Sequence, residues 1–304
     1  MAANKALQTL AELGEDALVD TLTGQLPTGG DVIVGPGDDC AVVRDRKAGE
    51  NLLLLKTDCV VEGVHYLPET APSKVGHKAI ARALSDIAAM GGTPGHALIT
   101  LVLPPTRTVA YARALYRGLA KTAAAHGASI VGSETSRPAR RGTGLVSVAL
   151  TGRVAKPQLC LRSGGRPGDR IFVTGRLGGS IKGRHLNFTP RIAEAQWLAK
   201  HAKPSAMMDL SDGLGTDLPR LAKASGCGWD IDLTTLPRHR GCDTAAALGD
   251  GEDYELLLTI PARRCRNLAA RWARRFPKLR LTEIGTLAER SRYLPDLGAG
   301  WTHF

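Results

Sequence analysis

Aromatic residues are scarce in this chain: Phe, Tyr and Trp together make up 4% of 304 residues. Any core must therefore be mostly aliphatic, although 43% hydrophobic content leaves ample material for one. No run of about 18 apolar residues occurs, so no membrane span is expected. The opening stretch MAANKALQTLAELGEDALVD carries acids early and lacks a continuous apolar block, so it does not read as a signal peptide. Cysteines are few and scattered, at Cys40, Cys59, Cys160, Cys227, Cys242 and Cys265, with no C-x-x-C pair. That pattern excludes a zinc ribbon or disulfide scaffold and fits a reducing cytoplasm. There is no G-x-x-x-x-G-K-[ST], no dinucleotide fingerprint and no protein-kinase signature.

Positive charge is abundant, with a formal net charge of +11. Such a balance suits nucleic acid or a phosphorylated small ligand. Interleaved aromatics and recognition motifs are missing, so nucleic acid is the weaker partner. The basic run at 262–275 reads as a solvated helix face.

Helical and extended patterns alternate along the chain. Residues 3–22 read as a helix, NLLLLKT at 51–57 as a buried strand, and 73–90 as a helix opening on Ser73. Strands follow at 97–104, 128–132 and 144–152, with a helix from Thr108 to His126 between the first two. The Gly/Pro/Arg-rich segment 156–169 reads as a boundary, giving domains 1–155 and 156–304. Beyond it, strands and helices again mix. The expected fold class is α/β (α+β mixed).

Acids cluster at strand ends and loop–helix joints. Asp38 and Asp39 follow a Gly-Pro-Gly turn, Asp58 ends an apolar strand, and Asp86 lies inside a largely apolar helix. Glu134 follows a strand, and AMMDLSDGLGTDLPRLA supplies Asp209, Asp212 and Asp217. A buried lone carboxylate is unfavourable unless it is paired or metal-bound. Capping accounts for one of Asp209 and Asp212, with Asp212 the better cap before Gly213. Asp217, a turn further on, reads as a helix-surface acid. Carboxylates without His or Cys spacing favour a hard cation such as Mg²⁺, which often shares phosphate ligands. Arg162, Arg166 and TGRLGGSIKGR add positive charge and backbone N–H groups, which suggests nucleotide chemistry.

The set GDDCAVV, TDCVVEGVH, ALSDIAAMGGTP, RSGGRPGD, VTGRLG, MDLSDGLGTDL, GEDYELLLT and WTHF resembles the thiamine-monophosphate kinases of the aminoimidazole ribonucleotide synthetase superfamily. The motifs keep the family order from about residue 30 to 304. The resemblance implies a two-domain aminoimidazole ribonucleotide synthetase-like fold whose N-terminal domains pair in a homodimer, with ATP in a cleft beside the dimer contact. It implies several Mg²⁺ ions held by Asp39, Thr57, Asp58, Asp86, Glu134, Asp209 and Asp212. ATP would touch Tyr116, Ser133, Glu134, Arg162 and Ser211. Thiamine monophosphate would lie near His65, Glu252 and Trp301. The implied reaction is direct in-line transfer of the γ-phosphoryl of ATP, with no covalent nucleophile or general base. The acceptor phosphate is largely dianionic at neutral pH, with a second pKa of about 6.

Two positions depart from the family pattern. Lys56 stands where S-T-D is usual, which puts an ammonium where one magnesium would sit. GSET at 132–135 replaces G-G-D-T, so Glu134 reaches one methylene further. Alternatives are another ATP-using member of the superfamily or a non-catalytic homologue. A selenophosphate enzyme would want a reactive Cys near the start, and the first Cys is Cys40. A hydrogenase-maturation member would want a C-terminal Cys, where this sequence has Phe304.

Overall fold

The computed structural model describes residues 9–24, 26–27, 29–45, 49–139, 142–290, 297–298 and 300. The helix expected over 3–22 is divided in its described part. Gly14, at φ +79°, separates α1 (Leu10–Leu13) from α2 (Glu15–Thr23).

The first sheet is built from β1 (Val32–Val34), β2 (Ala41–Arg44), β3 (Asn51–Val61), β4 (Thr93–Val102), β5 (Ser129–Ser136) and β6 (Leu145–Ala155). The helices α3 (Pro72–Ala89) and α4 (Val109–Ala125) connect β3 to β4 and β4 to β5. The strand order is β1-β2-β3-β6-β4-β5, antiparallel except for β4–β5. That parallel pair needs a crossover, and α4 supplies it.

The apolar run in β3 is buried on one face only. Leu52, Leu54 and Val60 are in the core, whereas Leu55 is 39% exposed. Leu98 and Val131 are also exposed, and with Leu55, Thr57 and Ala149 they line a shallow cavity on the outer face. Period-two alternation explains the split: a strand covered by helices on one side buries every second residue.

The second sheet comprises β7 (Arg170–Thr174), β8 (Ala206–Asp209), β9 (Gly228–Ile231), β10 (Leu256–Ile260) and β11 (Leu281–Ala288). Its order is β8-β10-β7-β11-β9, antiparallel throughout. Around it lie α5 (Ile192–His201), α6 (Leu214–Ala224), α7 (Thr244–Gly249) and α8 (Leu268–Arg275). The expected helix at 262–275 is a 3-10 turn at Ala262–Arg264 followed by α8, which buries Leu268 and Trp272.

One apolar core joins the two sheets. Leu54, Ile87 and Ile99 pack in the same cluster as Met207, Leu258 and Trp272. The central element is α3, which touches β3, α4, α5 and β8. It begins at Pro72 after Ala71, with no side-chain cap, rather than on Ser73. Proline at the first helical position presets φ and sacrifices no needed N–H, so no polar cap is required there. Where α3 crosses α4, Gly76 and Gly118 bring backbone onto backbone. A Cβ on Gly76 would lie 2.0 Å from the Leu115 carbonyl oxygen, and one on Gly118 2.0 Å from that of Ser73.

Candidate active site

Asp39 lies just before β2, Asp86 in the last turns of α3, and Asp209 at the end of β8. One oxygen from each falls within 4.8 Å of the others, and all three residues are buried. Burial followed by the neighbouring Asp39 charge pushes Asp209 up to about 7. Burial raises Asp86 well above the usual carboxylate range, against the pull of Lys56 and with the push of Asp209. Each carboxylate is partly satisfied. Asp39 Oδ1 accepts from Arg162 Nε at 3.1 Å, Ser85 Oγ donates to Asp209 Oδ2 at 2.6 Å, and Lys56 Nζ stands 3.0 Å from Asp86 Oδ1. Asp39 Oδ2 is buried without a hydrogen-bond partner. A hard divalent cation fits an all-oxygen donor set with an orphaned, buried carboxylate oxygen.

Beside this cluster, Asp58 pairs with Arg82 at 3.2 Å. Asp212 pairs with Arg220, which also reaches Asp217 at 3.3 Å and Asp16 at 3.0 Å. Two expectations are corrected here. Asp217 is fully buried, not a surface acid, and its Oδ2 accepts the Asp212 N–H at 3.0 Å. Asp212 does not cap α6, because its carboxylate is taken by Arg220 and the N-cap is Gly213. Gly213 has φ +101°, and a Cβ there would meet the Leu248 carbonyl oxygen at 2.5 Å.

A cavity of about 590 Å³ is lined by Asp58, Asp86, Asp209 and Asp212, with Arg162 and Ser211 also in its wall. A second, of about 410 Å³, is lined by His65, Tyr66, His185, Glu252 and Tyr254 among others. Beneath the second lies Lys78, wholly buried. Its Nζ reaches Glu252 Oε1 at 2.5 Å, donates to the His65 carbonyl oxygen at 2.6 Å, and meets His185 Nδ1 at 2.7 Å. Burial alone would raise the pKa of Glu252, but the His185 hydrogen bond and Lys78 outweigh it and hold it at about 2. Burial lowers Lys78 to about 8 in spite of Glu252. Glu252 and Tyr254 both adopt left-handed backbone, at φ +53° and +50°. Such strain persists only where the surroundings enforce it. Here the Glu252 N–H donates to the Ser211 carbonyl at 2.7 Å, the Tyr254 N–H to that of Leu210 at 2.8 Å, and Ser180 Oγ to that of Glu252 at 2.5 Å.

The remaining expected residues that are described lie apart from these cavities. Register sets Thr57 beside Ala149 and Leu98, and Glu134 beside Thr100, so both belong to the outer face of the first sheet. Ser133 is exposed on β5, and Tyr116 is half-buried on α4 against the core. Trp301 lies outside the described residues.

Residues 37–154 match the family described as AIR synthase related protein, N-terminal domain. The thiamine-monophosphate kinase of Rhodopirellula baltica is 37% identical over 254 residues, covering 78% of each chain. The chain belongs to the thiamine-monophosphate kinase family. The Aquifex aeolicus thiamine-monophosphate kinase is 35% identical over 97% of this chain and 99% of its own length. A solved structure described as AaThiL complexed with AMPPCP and TMP superimposes with TM-score 0.84 at 33% identity, covering 98% of this chain and 99% of that one. Escherichia coli HypE, a hydrogenase maturation protein, matches at TM-score 0.67 and 20% identity over 79% of this chain and 80% of its own, a likeness of fold alone. Membership of the thiamine-monophosphate kinase family fits the mixed α/β fold class expected from the sequence. Motif reading passed over Lys78 and Arg82 on α3. Their signal was present: Lys78, Arg82 and Asp86 recur every four residues and so share one helix face.

Proposed function

We propose that the chain phosphorylates thiamine monophosphate with ATP, giving thiamine diphosphate and ADP by direct in-line transfer. The carrying observation is that an acid-lined cavity and a second cavity closed by His65 and Glu252 share the wall residues Arg82, Ser211, Asp212 and Tyr254. A triphosphate in the first would meet an acceptor phosphate in the second across that wall. His65 and Glu252 would hold thiamine monophosphate, and Glu252, kept ionised by Lys78 and His185, suits a cationic heterocycle. Arg162 and the Ser211 hydroxyl would contact ATP. Positioning and charge neutralisation carry such a transfer, because the acceptor dianion has no proton to lose.

Mg²⁺ would be held by Asp39, Asp86 and Asp209, with Asp58 and Asp212 within the same cavity wall. When bound it supplies neutralisation of phosphate charge. We further propose that a second copy covers the outer sheet face of Leu55, Leu98 and Val131, forming a homodimer with the ATP cleft beside the contact. Thr57 and Glu134 would enter the site on that face, whereas Ser133 and Tyr116 would meet ATP from the helix-covered side of β5 and α4. The chain divides at 155/156, with one sheet on either side. Six unpaired cysteines support a cytoplasmic setting, and among the described residues no helix is long and apolar enough to cross a membrane.

The deciding assay is conversion of thiamine monophosphate to the diphosphate with ATP, with unphosphorylated thiamine as the control acceptor. Turnover of the monophosphate alone is expected. Equal turnover of thiamine, or none of either, would overturn the reading.

A further inference from the structure

Arg82 stands on α3, four residues after Lys78 and four before Asp86. Its side chain is only 15% exposed, and its Nε lies 3.2 Å from Asp58 Oδ2. Nη1 donates to the Cys59 carbonyl oxygen at 3.2 Å, and Nε, though buried, has no hydrogen bond of proper geometry. Four residues line both cavities: Arg82, Ser211, Asp212 and Tyr254. Among these four, Arg82 is the cation, and the acid Asp212 is already paired with Arg220. Two anions can come together only where positive charge separates their repulsion, and a planar guanidinium can serve two phosphates at once.

We propose that Arg82 is a catalytic residue of the phosphoryl transfer, contacting both the acceptor phosphate and the transferring γ-phosphoryl. The proposal rests on the kinase reading given above. An electron pair on an acceptor phosphate oxygen forms the new O–P bond to the γ-phosphorus. The bond from that phosphorus to the bridging oxygen breaks, and its electrons leave on the β-phosphate oxygen of ADP. No proton changes place, and Arg82 stays protonated throughout. Asp58 and the Cys59 carbonyl hold the guanidinium in orientation, so little reorganisation is needed as charge spreads over the γ-phosphoryl oxygens.

The test compares wild type, Arg82→Ala and Arg82→Lys in steady-state kinetics with ATP and thiamine monophosphate. For Arg82→Ala, kcat should fall about 10³-fold, as for other arginines that stabilise phosphoryl transfer. KM for ATP should move less than about threefold, which marks a loss felt in the transition state. Added guanidinium should restore part of the rate to Arg82→Ala. Arg82→Lys keeps the charge opposite Asp58 and guards against loss of fold, yet one ammonium cannot bridge two phosphates, so it should remain at least about tenfold slow. Wild-type kcat in either variant would overturn the proposal, as would a loss confined to KM for ATP. Wild-type protein that leaves thiamine monophosphate untouched would instead overturn the kinase reading. A fast wild type with fast variants would sink Arg82 alone.

Discussion

The two cavities share a wall but treat charge in opposite ways. Around Glu252 every charge is answered from within: Lys78 and His185 hold the carboxylate ionised, with a pKa of about 2. Around Asp39, Asp86 and Asp209 it is not. Lys56 and Arg162 offset part of three buried carboxylates, two of which are pushed upward, and one oxygen is left without a partner. The first region carries its own counter-charges. The second is short of positive charge, which on the proposed reading a bound cation supplies. Pairing within a site thus separates a region whose charges are balanced from one with negative charge to spare.

The strongest way to break this contrast is Asp86→Asn. It removes one of the three acids, and turnover at saturating magnesium should fall by at least about 10²-fold while circular dichroism stays native. A wild-type rate would remove Asp86 from the cation site. Lys78→Met attacks the self-sufficient cavity instead. It leaves Glu252 buried without its ammonium, so KM for thiamine monophosphate should rise about tenfold with KM for ATP unchanged, and the fold should lose about 3–5 kcal/mol in urea titration. Equal effects on both substrates would mean that the two cavities are not separable. Lys56→Ser withdraws the internal cation of the acid cluster. The magnesium concentration for half-maximal rate should shift by about threefold or more, and an unmoved value would place Lys56 outside the cluster's charge balance.

The smallest effect is on stability with pH. Asp209 has a folded pKa of about 7 against an ordinary 3.8, so the native state binds the extra proton. Stability of metal-free protein should therefore decline as pH rises through that interval, by roughly 2–4 °C in melting temperature, and magnesium should flatten the decline. Glu252 runs the other way. Its folded value of about 2 lies below 4.5, so its contribution is complete above pH 4.5 and is lost as pH falls towards 2. Glu252→Gln should erase that acid-side loss and leave the neutral-side decline intact.

Much of this was legible in the sequence, and the rest was not, for definable reasons. Strands with period-two burial and helices stopped by glycine were readable because the signal is local, as for α4 with its Thr108 cap. Asp39, Asp86 and Asp209 were singled out because acids in apolar or Gly-rich surroundings are unusual, and they do converge. Asp217 was misread because helix position alone does not reveal burial: the residue is fully buried, and its Oδ2 turns back to accept the Asp212 N–H from the loop before α6. Leu55 was misread because an all-apolar run hides which face is open. Lys78 and Arg82 were passed over because their partners, Glu252 and Asp58, come from distant parts of the chain.

The glycine crossing of α3 and α4 has a consequence for how damage would propagate. With no side chain between the two backbones at Gly76 and Gly118, α3 cannot slide or roll without collision. Lys78, Arg82 and Asp86 are therefore spaced like marks on a fixed ruler, one beneath the His65–Glu252 cavity, one in the wall that the two cavities share and one in the acid cluster. Gly76→Ala, outside the lining of either cavity, would displace all three marks together, and a packing lesion would present itself as a chemical one.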